Sequence, residues 1–165
     1  MYKDYKKNFV MLCDTREQEN KHILNYLIKN NINYKEKKLD FGDYSFELEG
    51  LSLEEMIVIE RKNSIDELCL NFTKERERFK REILRAYEKK AYFILLIENG
   101  NLNDIKNHRY RSRMHPNALI GSLNSWKKKY NIYTGFCGKN NTGKVMYNFF
   151  KRYVEKIIKN ESIAI

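Results

Sequence analysis

The chain has 165 residues, of which 42% are hydrophobic and 33% charged, with seven glycines and one proline. This balance excludes a disordered or collagen-like chain and is typical of one globular domain. A formal net charge of +10, from 32 Lys and Arg against 22 Asp and Glu, favours an anionic partner such as nucleic acid. The longest apolar run, residues 91–97, is far shorter than the roughly 20 residues of a membrane span.

Signals for export and for cysteine-based sites are missing from the sequence. The N-terminus is charged and lacks the apolar segment of a secretory signal. Its three cysteines are widely spaced and form neither a zinc motif nor a disulfide framework. We expect a cytoplasmic protein without membrane association, with one domain over 1–165, a core at about 9–158 and a short tail at 159–165.

Hydrophobic periodicity predicts alternating strands and helices along the chain. This order favours a mixed α/β fold with a central sheet flanked by helices. The predicted elements are a strand at 9–13, a helix capped by Thr15 and ending near 30, a meander of strands at 33–39, 43–48 and 56–61, helices at 64–70 and 73–90, a central strand at 91–97, a basic loop at 106–113, a helix over 119–130, a strand at 132–136 and a helix at 145–158.

Charged residues that suit phosphodiester chemistry cluster around the third strand of the predicted meander. Glu60 and Lys62 share one face of that strand, and Arg61 points to the other. Asp43 opens the preceding strand, and antiparallel pairing would bring its carboxylate towards Glu60. Two such carboxylates repel unless a cation lies between them, and hard oxygen ligands suit Mg²⁺ or Mn²⁺. Lys62 would orient the attacking water, and Asp14 is a further candidate ligand. The alternative is an ordinary polar strand end.

Three motifs then occur in a fixed order. They are DTRE at 14–17, GDY at 42–44 and ERK at 60–62, with Asp66 four residues further on. Together they match the pattern DxRE, GDY, ERKxxxD, and over about 9–157 the chain resembles the nuclease domain of XPF/Mus-type structure-specific endonucleases. That family is a branch of the restriction-endonuclease-like PD-(D/E)xK superfamily.

The resemblance implies a restriction-endonuclease-like core and a Mg²⁺-dependent endonuclease, with Mn²⁺ as a possible substitute. It implies that Asp43 and Glu60 hold the metal, that Asp14 supports them, and that Lys62 assists the water. The other matched positions are implied to buttress the carboxylates or to meet the phosphodiester; they are Arg16, Glu17, Arg61, Asp66 and Arg78. Among these, Arg61 and Asp66 join the predicted catalytic set.

Two charged side chains near the motifs, Arg61 and Glu82, are predicted to form ion pairs. Arg61 is expected to pair with Asp66 or Asp14 as a brace. Glu82 lies one helical turn after Arg78, so we expect it to pair with that arginine instead of binding metal.

A basic loop is the second candidate for nucleic-acid contact. Arg109, Arg111 and Arg113 surround Tyr110, and arginines with an interleaved aromatic suit phosphate contact and base stacking. The alternative is a mobile basic loop without such a role.

The segment at 138–144 and His22 are both interpreted as structural features without a role in ligand binding. Residues 138–144 match the phosphate-loop pattern GxxxxGK, but Val145 stands where the motif needs Ser or Thr. We therefore expect no nucleotide cofactor and a turn in which Thr142 caps the last helix. His22 is expected on the surface of the first helix.

The last predicted helix carries two apolar rows, a wider face than one core contact needs. We expect part of it to bury against a second subunit in a homodimer or heterodimer, which the resemblance also implies, with deeper burial in the same chain as the alternative. The rows are Val145, Phe149 and Tyr153, and Met146, Phe150 and Val154.

The sequence therefore predicts a metal-dependent endodeoxyribonuclease acting on branched or forked DNA. The chain has room for neither the helix-hairpin-helix repeats nor the helicase-like domain of larger family members, and its size is similar to that of phage and prophage members. The alternatives are a catalytically inactive DNA-binding or dimerisation subunit and a basic RNA-binding domain. The intact pair of mutually repelling carboxylates argues against an inactive subunit.

Overall fold

The structure, a computed structural model, describes residues 7–163. Within that range strands and helices alternate for most of the chain. The elements are β1 (Phe9–Cys13), α1 (Lys21–Lys29), β2 (Asn33–Glu36), β3 (Tyr44–Leu48), β4 (Leu51–Ser52), β5 (Ile57–Lys62), α2 (Ile65–Phe72), α3 (Arg76–Glu88), β6 (Tyr92–Glu98), α4 (Leu102–Lys106), α5 (Pro116–Tyr130), β7 (Tyr133–Cys137), a 3₁₀ turn (Lys139–Asn141) and α6 (Thr142–Ile163).

A mixed seven-stranded sheet organises these elements, as predicted. Its order is β2-β1-β3-β5-β6-β7, and the short β4 pairs with β3. β3 runs antiparallel to β1 and β5, whereas the β1–β2, β5–β6 and β6–β7 pairs are parallel. The predicted meander is wrong for β2, because α1 carries the chain across to pair β2 parallel with β1 at the outer edge of the sheet.

This topology gathers several polar residues at one edge of the sheet, which we call the carboxyl edge. β5 and β6 end there at Lys62 and Glu98, β1 ends there just before Asp14, and the antiparallel β3 begins there after Asp43. Backbone hydrogen bonds join these ends: Asp14 N donates to Asp43 O at 2.8 Å, and Asp43 N donates to Ile59 O at 2.9 Å. Residues distant in sequence therefore meet at this edge.

Helices cover both faces of the sheet and enclose two hydrophobic clusters. Val58 and Leu95 face the cluster under α2, α3 and α5. Ile59 and Leu96, their neighbours in sequence, face the cluster under α1 and α6. Burial on both faces explains the continuous apolar run at 91–97 and confirms its prediction as a central strand.

Helix boundaries differ from the predicted ones at two places. α1 begins at Lys21 instead of after Thr15, because Asp14 Oδ1 accepts the Arg16 backbone N–H at 2.8 Å and folds this segment into a turn. α6 runs from Thr142 to Ile163, longer than predicted, while residues 164–165 of the predicted tail lie outside the described range. Over residues 7–163, no helix is both long and apolar enough to cross a bilayer.

Candidate active site

Three consecutive charged side chains are buried where β5 reaches the carboxyl edge. Glu60, Arg61 and Lys62 are each at most 6% exposed. β5 lies between β3 and β6, so its backbone is fixed on both sides. Strand alternation sends Glu60 and Lys62 to one face and Arg61 to the other. The end of this strand therefore holds charges on both faces of the sheet.

On the first face, Lys62 Nζ lies 2.5 Å from Glu60 Oε1 and 4.9 Å from the centre of the Phe79 ring. The other carboxylate oxygen, Glu60 Oε2, is buried and has no hydrogen-bond partner in the described part of the chain. Asp43 is half-buried, and its Oδ2 accepts the Arg61 backbone N–H at 2.7 Å. We call Asp43, Glu60 and Lys62 the acidic cluster.

The electrostatics of the acidic cluster show a shortage of positive charge. Burial raises the pKa of Asp43 well above its ordinary value, and the Glu60 and Glu17 carboxylates raise it further. Burial also raises the pKa of Glu60 against the opposing effect of Lys62. Burial disfavours the charged form of Lys62, yet Glu60 and Asp43 outweigh it and raise the pKa of that ammonium group. A single ammonium group thus faces two desolvated carboxylates.

A divalent cation fits this donor set. The partnerless Glu60 Oε2 and the nearby Asp43 carboxylate are hard oxygen donors of the kind that Mg²⁺ and Mn²⁺ prefer. Between residues 7 and 163, no three His, Cys, Asp or Glu side chains group closely enough to hold an ion by themselves. A site with two carboxylates leaves coordination positions for water and phosphate, which is usual for Mg²⁺.

Glu82 of α3 is a further acidic neighbour that the sequence analysis misplaced. Its Oε1 accepts the Gly42 backbone N–H at 2.9 Å, and its charge raises the pKa of Glu60. The predicted pairing with Arg78 is wrong, because Arg78 Nη2 bonds Glu75 at 2.5 Å. Glu82 therefore links α3 to the segment that presents Asp43.

Gly42 fixes the backbone immediately before Asp43. Its φ is +72°, in the left-handed region that favours glycine. A Cβ at this position would lie 2.7 Å from the Val58 Cβ atom of neighbouring β5. The GDY motif therefore begins with a residue that both the φ angle and the close packing require.

On the opposite face, Arg61 joins two carboxylates. Its Nε donates to Glu17 Oε2 at 2.8 Å, and its Nη1 donates to Glu98 Oε2 at 3.1 Å. The predicted pairing with Asp66 or Asp14 is wrong, because alternation directs Arg61 towards the α1 side of the sheet. Arg61 therefore braces the strand that carries Glu60 and Lys62.

Glu98 extends this brace to two helices. The side chain is fully buried, and its Oε1 lies 2.6 Å from both His22 Nε2 and Thr142 Oγ1. His22 is therefore not the surface residue that was predicted.

Within residues 138–144, Gly143 is required by packing, since a Cβ there would lie 2.8 Å from Tyr26 side-chain atoms. This segment thus connects α6 to the brace.

Asp14, which the sequence predicts as a further metal ligand, forms hydrogen bonds through both carboxylate oxygens. Oδ1 accepts from Arg16 N and Nε, and Oδ2 accepts from Arg16 Nη2 and Leu39 N, at distances of 2.7–3.0 Å. Burial alone would raise the pKa of Asp14, but these hydrogen bonds outweigh it and lower the pKa. Four N–H donors contact the two oxygens, so Asp14 holds the segments that carry Arg16 and Leu39.

The remaining predicted residues lie outside the acidic cluster as defined above. Asp66, in the first turn of α2, accepts backbone N–H groups of the loop between α4 and α5 and is not part of the cluster. That loop carries the exposed Arg109, Arg111 and Arg113. A basic pocket of about 370 Å³ lies beside the segment that precedes Gly42; its lining residues are Arg16, Lys38, Leu39, Asp40 and Arg85.

Comparison with known proteins places this arrangement in a family. The ERCC4 domain matches residues 13–149. Two solved structures, XPF from Aeropyrum pernix alone and in complex with DNA, are similar with TM-scores of 0.65 and 20% identity each. The matches cover 87% and 89% of this chain but 61% and 66% of those chains, so this chain spans less than two thirds of either. No curated protein matches significantly. Because the ERCC4 domain matches most of its length, the chain belongs to the ERCC4 domain family and has the XPF-type nuclease fold.

Proposed function

We propose that this protein is a metal-dependent endodeoxyribonuclease whose catalytic centre is the acidic cluster. The main supporting observation is that the buried Glu60 Oε2, in the acidic cluster with Asp43 and Lys62, has no hydrogen-bond partner among residues 7–163. A buried carboxylate oxygen without a donor is costly, and a bound cation would satisfy it. Membership of the ERCC4 nuclease family supports DNA hydrolysis as the reaction.

In the proposed mechanism, Asp43 and Glu60 would hold Mg²⁺ or Mn²⁺, and the ion would supply Lewis-acid stabilisation at the scissile phosphate. Because its pKa is raised, Lys62 remains protonated at neutral pH and acts as a hydrogen-bond donor instead of a base. It orients the attacking water and stabilises the negative charge that develops on the phosphate oxygens. Gly42 and the Arg61 brace keep these groups in place.

Branched or forked DNA is the proposed substrate. The basic pocket and the three exposed loop arginines provide positive surface charge of the kind that binds a sugar-phosphate backbone. One similar structure is described as XPF in complex with DNA, which supports DNA over RNA. A DNA-binding subunit without activity is the alternative, and it predicts binding without cleavage.

Dimerisation is a second part of the proposal. Met146, Phe150 and Val154 are buried in the core, so this row of α6 has its partner within the chain. The other row, which includes Phe149 and Tyr153, is only half-buried and lines an apolar cavity of about 250 Å³. We propose that a second copy covers this row. Sedimentation at micromolar concentration tests this proposal, and a strict monomer would contradict it.

The decisive experiment compares cleavage by the wild type and by the Asp43→Asn and Glu60→Gln variants. Labelled linear, forked, flapped and four-way DNA are incubated with Mg²⁺, Mn²⁺ or EDTA, together with single-stranded RNA. Glu88→Gln, an exposed substitution near the end of α3, serves as the control. We expect metal-dependent cleavage of forked substrates by the wild type and the control only. Cleavage that survives EDTA, or equal cleavage by Glu60→Gln, would contradict the proposed site.

A further inference from the structure

The loop at 107–115, between α4 and α5, contains neither helix nor strand, and we call it the arginine loop. The Arg109 and Arg111 side chains are 67% and 96% exposed, and Arg113 is exposed as well. Exposed ion pairs contribute little to stability. The fold therefore gives these arginines little structural role, which leaves them available to an anionic partner.

The arginine loop is attached to the end of the catalytic strand through one carboxylate. Asp66 Oδ1 accepts two successive backbone N–H groups, from Arg111 at 2.9 Å and from Ser112 at 2.7 Å. Asp66 lies only four residues after Lys62. Four residues span at most about 14 Å, so the attachment point lies close to the acidic cluster. Asp66 therefore joins the start of α2, which follows the acidic cluster in sequence, to the basic arginine loop. The two bonded residues, Asp66 and Arg111, are 45 positions apart in sequence.

Contacts within the arginine loop give it a defined shape before any partner binds. His108 Nε2 lies 2.9 Å from Ser112 O, and the Tyr110 hydroxyl donates to Met114 O at 2.8 Å. Tyr110 and Met114 also pack against the hydrophobic cluster under α2, α3 and α5. A preformed loop loses little conformational entropy on binding, which favours affinity.

The same edge of the sheet carries both the acidic cluster and the start of the segment that leads to the arginine loop. β5 and β6 are parallel and end together, with Lys62 paired to Ile97. Beyond those ends, Asn99 Nδ2 donates to Asn63 O at 3.2 Å, and a Cβ on Gly100 would lie 2.6 Å from Ile65 Cδ1. This close packing holds the exit from β6 against the start of α2.

We infer that Asp66 is a positioning residue that holds the arginine loop as a preformed phosphate-binding arm beside the acidic cluster. The inference rests on the proposed function and names the ligand of the arm, the sugar-phosphate backbone next to the scissile phosphate. Because Asp66 lies within about 14 Å of Lys62, we expect the arm to contact phosphates close to the cut. Asp66 acts through the loop backbone and has no part in bond cleavage.

The test measures DNA binding separately from cleavage. Asp66→Ala and Asp66→Asn are each made in the Glu60→Gln background, and affinity for labelled forked DNA is measured by fluorescence anisotropy over a salt series. Asparagine keeps an amide oxygen that accepts both N–H groups, whereas alanine removes the acceptor. We expect Asp66→Ala to weaken binding at least fivefold and to lower the salt slope by about 0.9 for each phosphate that the arm no longer neutralises. We expect Asp66→Asn to bind like its parent.

Each other outcome would overturn the inference. An unchanged affinity and salt slope in Asp66→Ala would show that the loop needs no anchor, and equal losses in both variants would assign the effect to the charge itself. With Glu60 intact, a fall in kcat without a change in KM would place Asp66 in the chemistry. If Asp66→Ala does not fold, the triple substitution Arg109→Ala, Arg111→Ala, Arg113→Ala replaces it, and unchanged binding would be equally decisive. Cleavage by the wild type tests the proposed function independently of these results.

Discussion

Arg61 and Arg111 carry the same charge, yet their surroundings are opposite. The Arg61 side chain is 5% exposed and bonds two carboxylates, Glu17 and Glu98. The Arg111 side chain is 96% exposed, and its nearest carboxylate oxygen, on Asp66, lies 3.7 Å from Nε. The difference separates two uses of charge in one protein: buried charges brace the end of β5, whereas exposed charges are available to the ligand that we propose.

This contrast predicts that substitutions at the end of β5 affect catalysis or folding, while substitutions in the arginine loop affect binding alone. Buried charges depend on their partners, and removing one partner leaves the other unpaired in a poorly solvated site. Exposed arginines remain hydrated in the absence of DNA, so their removal changes the free protein little.

The largest effect is expected at Lys62. Lys62→Met removes the donor that stabilises developing negative charge, and we expect single-turnover cleavage to fall by about 10³-fold. The same change leaves Asp43 and Glu60 without a compensating charge, so Mn²⁺ should raise the melting temperature of the variant more than that of the wild type. Lys89→Met, at an exposed ion pair, is the control. Cleavage at the wild-type rate by Lys62→Met would contradict its assigned role.

Arg61→Ala tests whether the buried arginine stabilises the folded protein more than the exposed Arg111 does. It leaves Glu17 and the fully buried Glu98 without their shared arginine, and we expect it to lower the free energy of unfolding by about 3–5 kcal/mol. Arg111→Ala should change that free energy by less than about 0.5 kcal/mol. Urea unfolding of both variants measures the difference. Similar small effects would remove the distinction between buried and exposed arginines.

Asp14→Asn tests whether Asp14 is a brace. The folded-state pKa of Asp14 is lowered, so its stabilising contribution is present above its ordinary pKa of 3.8 and is lost as pH falls through the folded-state value. We expect the variant to lose about 2 kcal/mol at pH 7 and to approach the wild type below about pH 4. Urea unfolding across this pH range measures the difference. A constant difference at all pH values would contradict the ionised brace.

The smallest effect is expected from one exposed arginine. Arg111→Ala should weaken binding of forked DNA by about two- to fivefold and reduce the salt slope by about 0.9, the value for one neutralised phosphate. Anisotropy titrations in the Glu60→Gln background measure both quantities. An unchanged slope would show that Arg111 does not bind a phosphate and would locate the binding surface elsewhere.

The sequence predicted those parts of the molecule that depend on local pattern. The apolar run at 91–97 indicated a strand buried on both faces, which the two hydrophobic clusters confirm. Strand alternation placed Glu60 and Lys62 together with Arg61 opposite, as their hydrogen bonds show. The three ordered motifs predicted the family, which the ERCC4 match confirms.

The partners of these residues could not be predicted, because they come from distant segments. Arg61 meets Glu98 across 37 positions, and His22 meets the same carboxylate across 76. A lone glutamate at the end of an apolar strand gives no signal of those contacts. The hydrogen bonds of Asp14 were also not predictable, because the sequence does not show that its oxygens accept from Arg16 and from Leu39, 25 positions away.

The central claim is that Asp43 and Glu60 hold a divalent ion at the carboxyl edge. A crystal soaked in Mn²⁺ tests it most directly, with anomalous difference density measured at the manganese edge. The account predicts a peak within about 2.3 Å of oxygens from both carboxylates, with Lys62 close enough to contact a bound water. No peak between these carboxylates, or a peak elsewhere while Glu60 stays bonded only to Lys62, would contradict it.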